Sequence, residues 1–159
     1  MQDRQFDGPL PPVRTKRIDI VRIKDTSPKT FTIVSERPYS IIYHWMNGRS
    51  QQCSKSRGDC EGCANGKDEK WTAYLHAICW EANAELFLEL TDACLKQIFT
   101  LSNKRSTLRG SIVKLSKSKG GIRGRYVVDL LDRTIDTDTL PEVRFPDELL
   151  KKLWGAKRA

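Results

Sequence analysis

The sequence predicts a small, mainly β domain built around a metal-binding insertion. Three observations indicate this fold class. Apolar and polar residues alternate in several short stretches, one stretch after residue 91 has helical spacing instead, and residues 47–70 hold three cysteines but almost no aliphatic side chains. The chain has 159 residues, 38% hydrophobic and 30% charged, which suits one globular domain with a thin core.

The strands are predicted from alternation and from their aromatic and β-branched content. They are residues 17–24, 31–34, 39–45, 71–80, 85–90, 108–117 and 122–131. Thr91 and Asp92 supply an N-cap for the short helix. Its apolar face is Cys94, Leu95, Ile98 and Phe99. Residues 118–121 contain two glycines and predict a hairpin turn before the last strand.

Strands, one short helix and a closing hairpin follow the element order of the OB-fold, a small Greek-key barrel. Another small β-barrel fits the same pattern. The predicted OB-fold-like domain spans residues 16–134, with the metal-binding insertion at about 44–70. Residues 1–15 are predicted to form a flexible arm, and residues 135–159 a C-terminal extension with a short helix at 146–154.

Cys53, Cys60 and Cys63 have the spacing of a structural zinc site. The final Cys-x-x-Cys step allows two thiolates to reach one ion, and Gly62 permits the tight turn between them. Thiolate ligands with an imidazole favour zinc over calcium or magnesium. Because residues 47–70 have no other means of folding, the sequence predicts that a structural Zn²⁺ organises them.

The fourth zinc ligand is predicted to be His44, which ends the strand before the insertion. His76 is the other histidine of the chain and remains the alternative, although its place within a strand is typical of a packed or hydrogen-bonded side chain. Cys79 and Cys94 fall on apolar faces and are predicted to be small core residues.

The protein is predicted not to be an enzyme. A zinc site closed by four protein ligands has no open position for water, and the sequence has no convincing nucleophile beside a base and no Gly-rich phosphate loop. No apolar run approaches the roughly 20 residues that cross a bilayer, and the N-terminus lacks the apolar core of a signal peptide. We therefore expect a cytoplasmic protein with no membrane partner, in which the five cysteines stay reduced.

The positive charge is concentrated in residues 102–125. This window holds eight Lys and Arg residues and no Asp or Glu, and the rest of the chain carries equal numbers of basic and acidic residues, so the window accounts for the net charge of +8. Such one-sided charge favours a polyanionic partner. The alternative is a solvated basic face that only maintains solubility.

Single-stranded nucleic acid, DNA in preference to RNA, is the predicted partner. Cations would contact phosphates and exposed aromatic side chains would stack on bases, whereas no helix carries the charge of a major-groove reader. The predicted contact residues are Trp45, Arg49, Tyr74, Trp80, Phe87, Lys104, Arg105, Arg109, Lys117, Lys119, Arg123 and Arg125. An RNA-binding module and a zinc-stapled interaction adaptor are the alternatives.

The ligand set resembles that of a known family. His44, Cys53, Cys60 and Cys63 within a small predicted barrel are similar to the zinc site of the single-stranded DNA-binding (helix-destabilising) proteins of T4-type phages. The resemblance implies an OB-fold, non-catalytic coating of single-stranded DNA, and protein partners in replication, recombination or repair of a phage, plasmid or mobile element. The ligand spacings are shorter than in that family, and residues 151–159 are basic where those proteins carry an acidic tail.

Overall fold

A computed structural model describes residues 18–54, 58–103, 105–119 and 125–150, apart from the side chain of Glu148. These residues form one mixed sheet of eight strands with three α-helices and one 3₁₀ turn, Thr137–Thr139, around it, which confirms the predicted mainly β fold. The elements in chain order are β1 Ile20–Arg22, β2 Lys29–Ile33, β3 Tyr39–Met46, β4 Arg49–Gln52, α1 Glu61–Ala64, β5 Lys70–Cys79, β6 Ala84–Thr91, α2 Asp92–Leu101, β7 Ser111–Lys117, β8 Tyr126–Thr134 and α3 Asp147–Leu150. Within the described ranges, every helix is too short or too polar to span a bilayer.

Strand β5 is the centre of the sheet. Along one edge it pairs with β6, and along the other it pairs first with β3 and then with β2. The strand order of the sheet is therefore β1-β6-β5-β2-β7-β8. Strand β3 pairs with β5 on one side and with β4 on the other. Helix α2 connects β6 to β7 and packs against β5, β6 and β8. This order is compatible with the predicted OB barrel, which stays a prediction.

The interior of the domain lies on one face of β5. Alternate β5 residues from Ala73 to Cys79 pack against Leu86, Leu88 and Leu90 of β6, and α2 closes this core with Cys94, Leu95 and Ile98. The predicted N-cap is present, since the Thr91 hydroxyl accepts a hydrogen bond from the Cys94 N–H at 3.3 Å. Cys79 and Cys94 are buried as predicted, and burial raises the pKa of Cys94 to about 12. Phe99, predicted to belong to this face, is exposed instead.

The opposite, outer face of β5 is partly covered by residues 135–150, here named the C-terminal segment. Ile78 packs with Ile135 and Leu140, while Tyr74 packs with Leu150 of α3. Arg109 ties the segment to the sheet, because its guanidinium donates to the Val34 carbonyl at 2.8 Å and to the Pro141 carbonyl at 3.0 Å. Residues 135–150 of the predicted extension therefore pack as part of the sheet's cover.

Several predicted boundaries lie outside the described residues. β8 begins at Tyr126, and Tyr126, Val128 and Leu130 are its side chains that reach the core, whereas residues 122–124 of the strand predicted at 122–131 are outside the described residues. The 1–15 arm is outside the described residues. Of the helix predicted at 146–154, the structure describes only Asp147–Leu150.

Candidate metal centre

The β3–β4 hairpin places the first two ligands. Its two-residue turn is Asn47-Gly48, with φ of 53° and 75°, the left-handed conformations that a type I′ turn requires and that Asn-Gly adopts readily. Beyond β4, the Cys53 N–H donates to the Ile42 carbonyl at 2.8 Å and extends the ladder. Cys53 therefore lies opposite Ile42, on the same face of the hairpin as His44.

Helix α1 places the other two ligands on one short turn. Cys60 stands at its N-cap and Cys63 lies in its last turn. The helix ends in a Schellman motif: the Lys67 N–H donates to the Gly62 carbonyl, the Gly66 N–H to the Cys63 carbonyl, and Gly66 has a φ of 65°. These bonds end the short helix that carries both thiols.

The four predicted ligands converge. The Nε2 of His44 and the Sγ atoms of Cys53, Cys60 and Cys63 all lie within 4.8 Å of one another. The Cys53 and Cys63 sulfurs are 3.6 Å apart, and the Cys63 sulfur is 3.5 Å from His44 Nε2. The described residues thus contain a His-Cys₃ cluster able to hold a metal ion.

Neighbouring backbone orients the histidine for this role. His44 Nδ1 lies 3.0 Å from the Asp68 carbonyl, which only accepts, so Nδ1 carries the proton and the Nε2 lone pair faces the thiols. The His44 side chain is 1% exposed, and Gly62 packs directly on its ring. Gly62, noted in the sequence for a tight turn, is required here for this close approach.

The electrostatics of the cluster favour a bound cation. Backbone N–H groups of Cys63 and Ser54 lower the pKa of Cys60 to about 5, which stabilises one thiolate. Burial and the neighbouring Cys53 and Cys60 sulfurs raise the pKa of Cys63 to about 12. A hydrogen bond to Cys53 raises the pKa of His44. Three adjacent thiolates repel one another, and a divalent cation among them removes that cost.

His76, the alternative ligand, is engaged elsewhere. It is buried in β5, where its Nδ1 accepts a hydrogen bond from the Arg144 N–H at 3.0 Å and its Nε2 lies 3.0 Å from Glu85 Oε1. Its ring also packs at 5.7 Å from Phe87. The cluster therefore takes His44, as predicted in preference to His76.

The predicted exposure of two aromatic side chains was wrong. Tyr74 is 2% exposed, because Leu150 of the C-terminal segment packs on it, and Phe87 is 3% exposed beside the His76 ring. Neither ring is accessible to a base. Trp80 is half-buried, with its Nε1 donating to Thr32 Oγ1 at 2.7 Å and the Arg133 guanidinium 5.8 Å from its ring centroid.

Trp45 and Arg49 are both exposed, but on opposite faces of the hairpin. Trp45 stands opposite Ser50, whereas Arg49 stands opposite Met46 and lines the cleft beside Cys60 and Glu61. The two predicted contact residues therefore do not share a surface, because successive residues of a strand point to opposite faces.

The predicted cations divide into two groups. Arg109 and Arg105 are used inside the fold, the latter through bonds to Ser111 Oγ at 2.9 Å and to the Leu131 carbonyl at 3.0 Å. Lys117, Lys119 and Arg125 are exposed at the β7–β8 loop. Lys104 and Arg123 lie outside the described residues.

The signal that sequence reasoning missed is the Asn47-Gly48 turn. An Asn-Gly pair flanked by strand-like residues predicts a hairpin, and it would have indicated that Arg49–Gln52 returns beside β3. Asp68 gave no such signal, because its contribution is a backbone carbonyl.

Comparisons with known proteins do not assign the chain to a family. No family model, curated protein or solved structure matches it.

Proposed function

We propose that the chain is a non-catalytic, single-stranded DNA-binding protein in which a zinc ion is a structural staple. Zinc is supported by the donor set and by the spacing of the ligand atoms. A tetrahedral zinc with Zn–S of about 2.3 Å and Zn–N of about 2.0–2.1 Å has S···S edges of about 3.8 Å and S···N edges of about 3.6 Å. The corresponding separations between Cys63 and its neighbours are 3.6 Å and 3.5 Å.

The zinc is proposed to be structural because all four of its positions are taken by protein ligands. Its role is to fasten the α1 loop, which lacks apolar side chains of its own, to the buried face of the β3–β4 hairpin. Since cysteine side chains must stay reduced to bind metal, we also propose that the protein is cytoplasmic.

The observation that carries the nucleic-acid proposal is the one-sided charge of residues 102–125. Although Arg105 and Arg109 are occupied within the fold, Lys117, Lys119 and Arg125 remain exposed at a single loop. Cations gathered on one loop provide the phosphate contacts that single-strand binding uses. The strand order, with α2 between β6 and β7, supports an OB-type barrel as the carrier.

Fluorescence-polarisation titrations test this function. The zinc-loaded chain is titrated against labelled oligo-dT, oligo-rU and a matched duplex across a salt series. Preference for oligo-dT that weakens steeply with salt is the expected result. Preference for oligo-rU replaces DNA with RNA as the partner. Equal, purely salt-driven binding to all three, or no binding, contradicts single-strand recognition and favours the interaction adaptor.

A further inference from the structure

The outer face of the sheet is divided into a covered and an open part. The C-terminal segment covers the second half of β5, where Tyr74, His76 and Ile78 are buried. The first residues of β5, which pair with β3, continue the same outer face but are not covered in this way, since Lys70 is exposed and Thr72 is half-buried. The open part ends in the β3–β4 hairpin.

One aromatic side chain dominates this open part. Trp45 is 57% exposed, the most exposed tryptophan among the described residues. Strand alternation and pairing place Tyr43 and Lys70 on the same face, with Tyr43 directly opposite Lys70. The polar side chains that share this face are Ser50, Gln52 and Thr72. These six residues are here named the hairpin platform.

The acidic side chains around the hairpin lie on its metal side, together with Arg49. Asp59 and Glu61 line the cleft beside the metal cluster. The Oε1 atom of Glu69 lies 3.9 Å from the Cys63 sulfur. These acidic residues therefore lie on the metal side. The hairpin platform carries one charge, the ammonium of Lys70, beside neutral hydroxyl and amide groups.

We infer that the hairpin platform is the base-stacking site for a single nucleic-acid strand, an inference that rests on the proposed function. An exposed indole supplies the face on which a base stacks, and the adjacent Lys70 supplies a phosphate contact. Side chains of Tyr43 and Trp45 leave β3 about 7 Å apart, a spacing suited to bases of an extended strand. None of the six platform residues is acidic, which fits a polyanion better than a basic peptide.

The proposed zinc site and the stacking site then lie on opposite faces of the same β3–β4 hairpin. His44 holds the metal from one face while Tyr43 and Trp45 present the other. The metal fastens the α1 loop to the hairpin face opposite the stacking surface, so no metal ligand contacts the nucleic acid.

Substitution of Trp45 tests the site, with Phe99→Ala as the matched control because Phe99 is another exposed aromatic residue, 45% exposed on helix α2. Affinity for oligo-dT and oligo-rU is measured in the zinc-loaded protein. We expect Trp45→Ala to weaken binding about 5- to 150-fold, the range of one base stack. Trp45→Phe retains a ring and is expected to recover most of the affinity, and Phe99→Ala to leave it unchanged.

The outcomes separate the two proposals. If wild type binds oligo-dT and Trp45→Ala binds equally well, the platform is not the stacking site and the proposed function survives. If wild type binds neither oligonucleotide, both proposals fail. Ultraviolet cross-linking of unmodified protein to oligo-dT gives a second readout: a cross-linked peptide from β3 supports the site, and cross-links confined to other segments overturn it.

Discussion

Gly62 shows how one residue connects the sequence pattern to the metal cluster. It lies between the two cysteines of the Cys-x-x-Cys step, and a Cβ built on it would stand 2.5 Å from the Cγ and Cδ2 atoms of His44. Since real Cβ atoms do not approach carbon so closely, any larger side chain must displace the imidazole. The helical loop and the histidine therefore depend on each other at this position.

Gly62→Ala is expected to weaken zinc binding about 10- to 100-fold, the effect typical of disturbing the group that orients a ligand. Competition with a chromophoric chelator measures the affinity. Glu61→Ala, at the exposed neighbouring position, is the control and should bind zinc as the wild type does. Equal affinity in both variants would show that His44 is not held against Gly62.

The buried His76 makes stability depend on pH. Desolvation by burial lowers its pKa below the ordinary 6.5, opposed by Glu85, while Arg144 and Arg109 add to the lowering. Below pH 6.5 the unfolded chain therefore binds more protons than the folded one, so this group's contribution to stability is present above pH 6.5 and declines as the pH falls.

His76→Gln tests that dependence. At pH 7.5 the variant should be less stable than wild type by about 1–3 kcal/mol, since buried hydrogen bonds to Glu85 and the Arg144 N–H are lost or weakened. Denaturant unfolding at pH 7.5 and 5.5 measures the difference in free energy of unfolding between the two proteins. Both have the same zinc ligands, so the pH dependence of that site affects them equally. The gap is expected to narrow at pH 5.5; a gap that stays constant or widens contradicts a lowered pKa.

At the scale of elements, alternation in the sequence predicted most strands because each buries one face on the core. The same alternation did not predict what covers the other face. Tyr74 and Phe87 were correctly separated from Leu75 and Leu86, yet both are buried, and Tyr74 is buried because Leu150, far along the chain, returns over it. That cover depends on tertiary packing, such as the Arg109 contacts, which no local pattern encodes.

The cysteine ligands were predictable for the opposite reason. Cys60 and Cys63 lie within one helical turn, so their spacing in sequence nearly fixes their spacing in space. The choice between His44 and His76 was less certain from the sequence, because it depends on how the Asn47-Gly48 hairpin folds back toward α1.

Chelation of the metal is expected to loosen the insertion and leave the sheet intact. Helix α1 and the loop that follows it are held by the cluster and by few apolar contacts, whereas β5 and β6 are held by the core. Hydrogen exchange followed by mass spectrometry should show faster exchange at residues 58–69 after metal removal, and little change in residues 73–79. Unchanged protection at 58–69 would mean that the metal does not organise this segment.

At the scale of the whole molecule, the position of the positive charge is expected to matter more for nucleic-acid binding than the net charge of +8 itself. Reversal of Lys117 and Lys119 to Glu should weaken binding to oligo-dT and lower the salt slope by about 0.7 for each phosphate contact removed. Arg37 and Lys96 are also exposed, and their reversal to Glu changes the net charge equally on other surfaces. Equal losses in the two double variants would mean that only total charge matters and that the β7–β8 loop is not a contact surface.

Native mass spectrometry of the reduced protein, purified with zinc present, tests the central claim most directly. The zinc-stapled fold predicts one zinc ion per chain, lost in Cys63→Ser and in His44→Ala but kept in Cys94→Ala, since Cys94 is a core residue away from the cluster. A metal-free wild-type chain, or a zinc ion that remains bound when Cys63 or His44 is replaced, would contradict it.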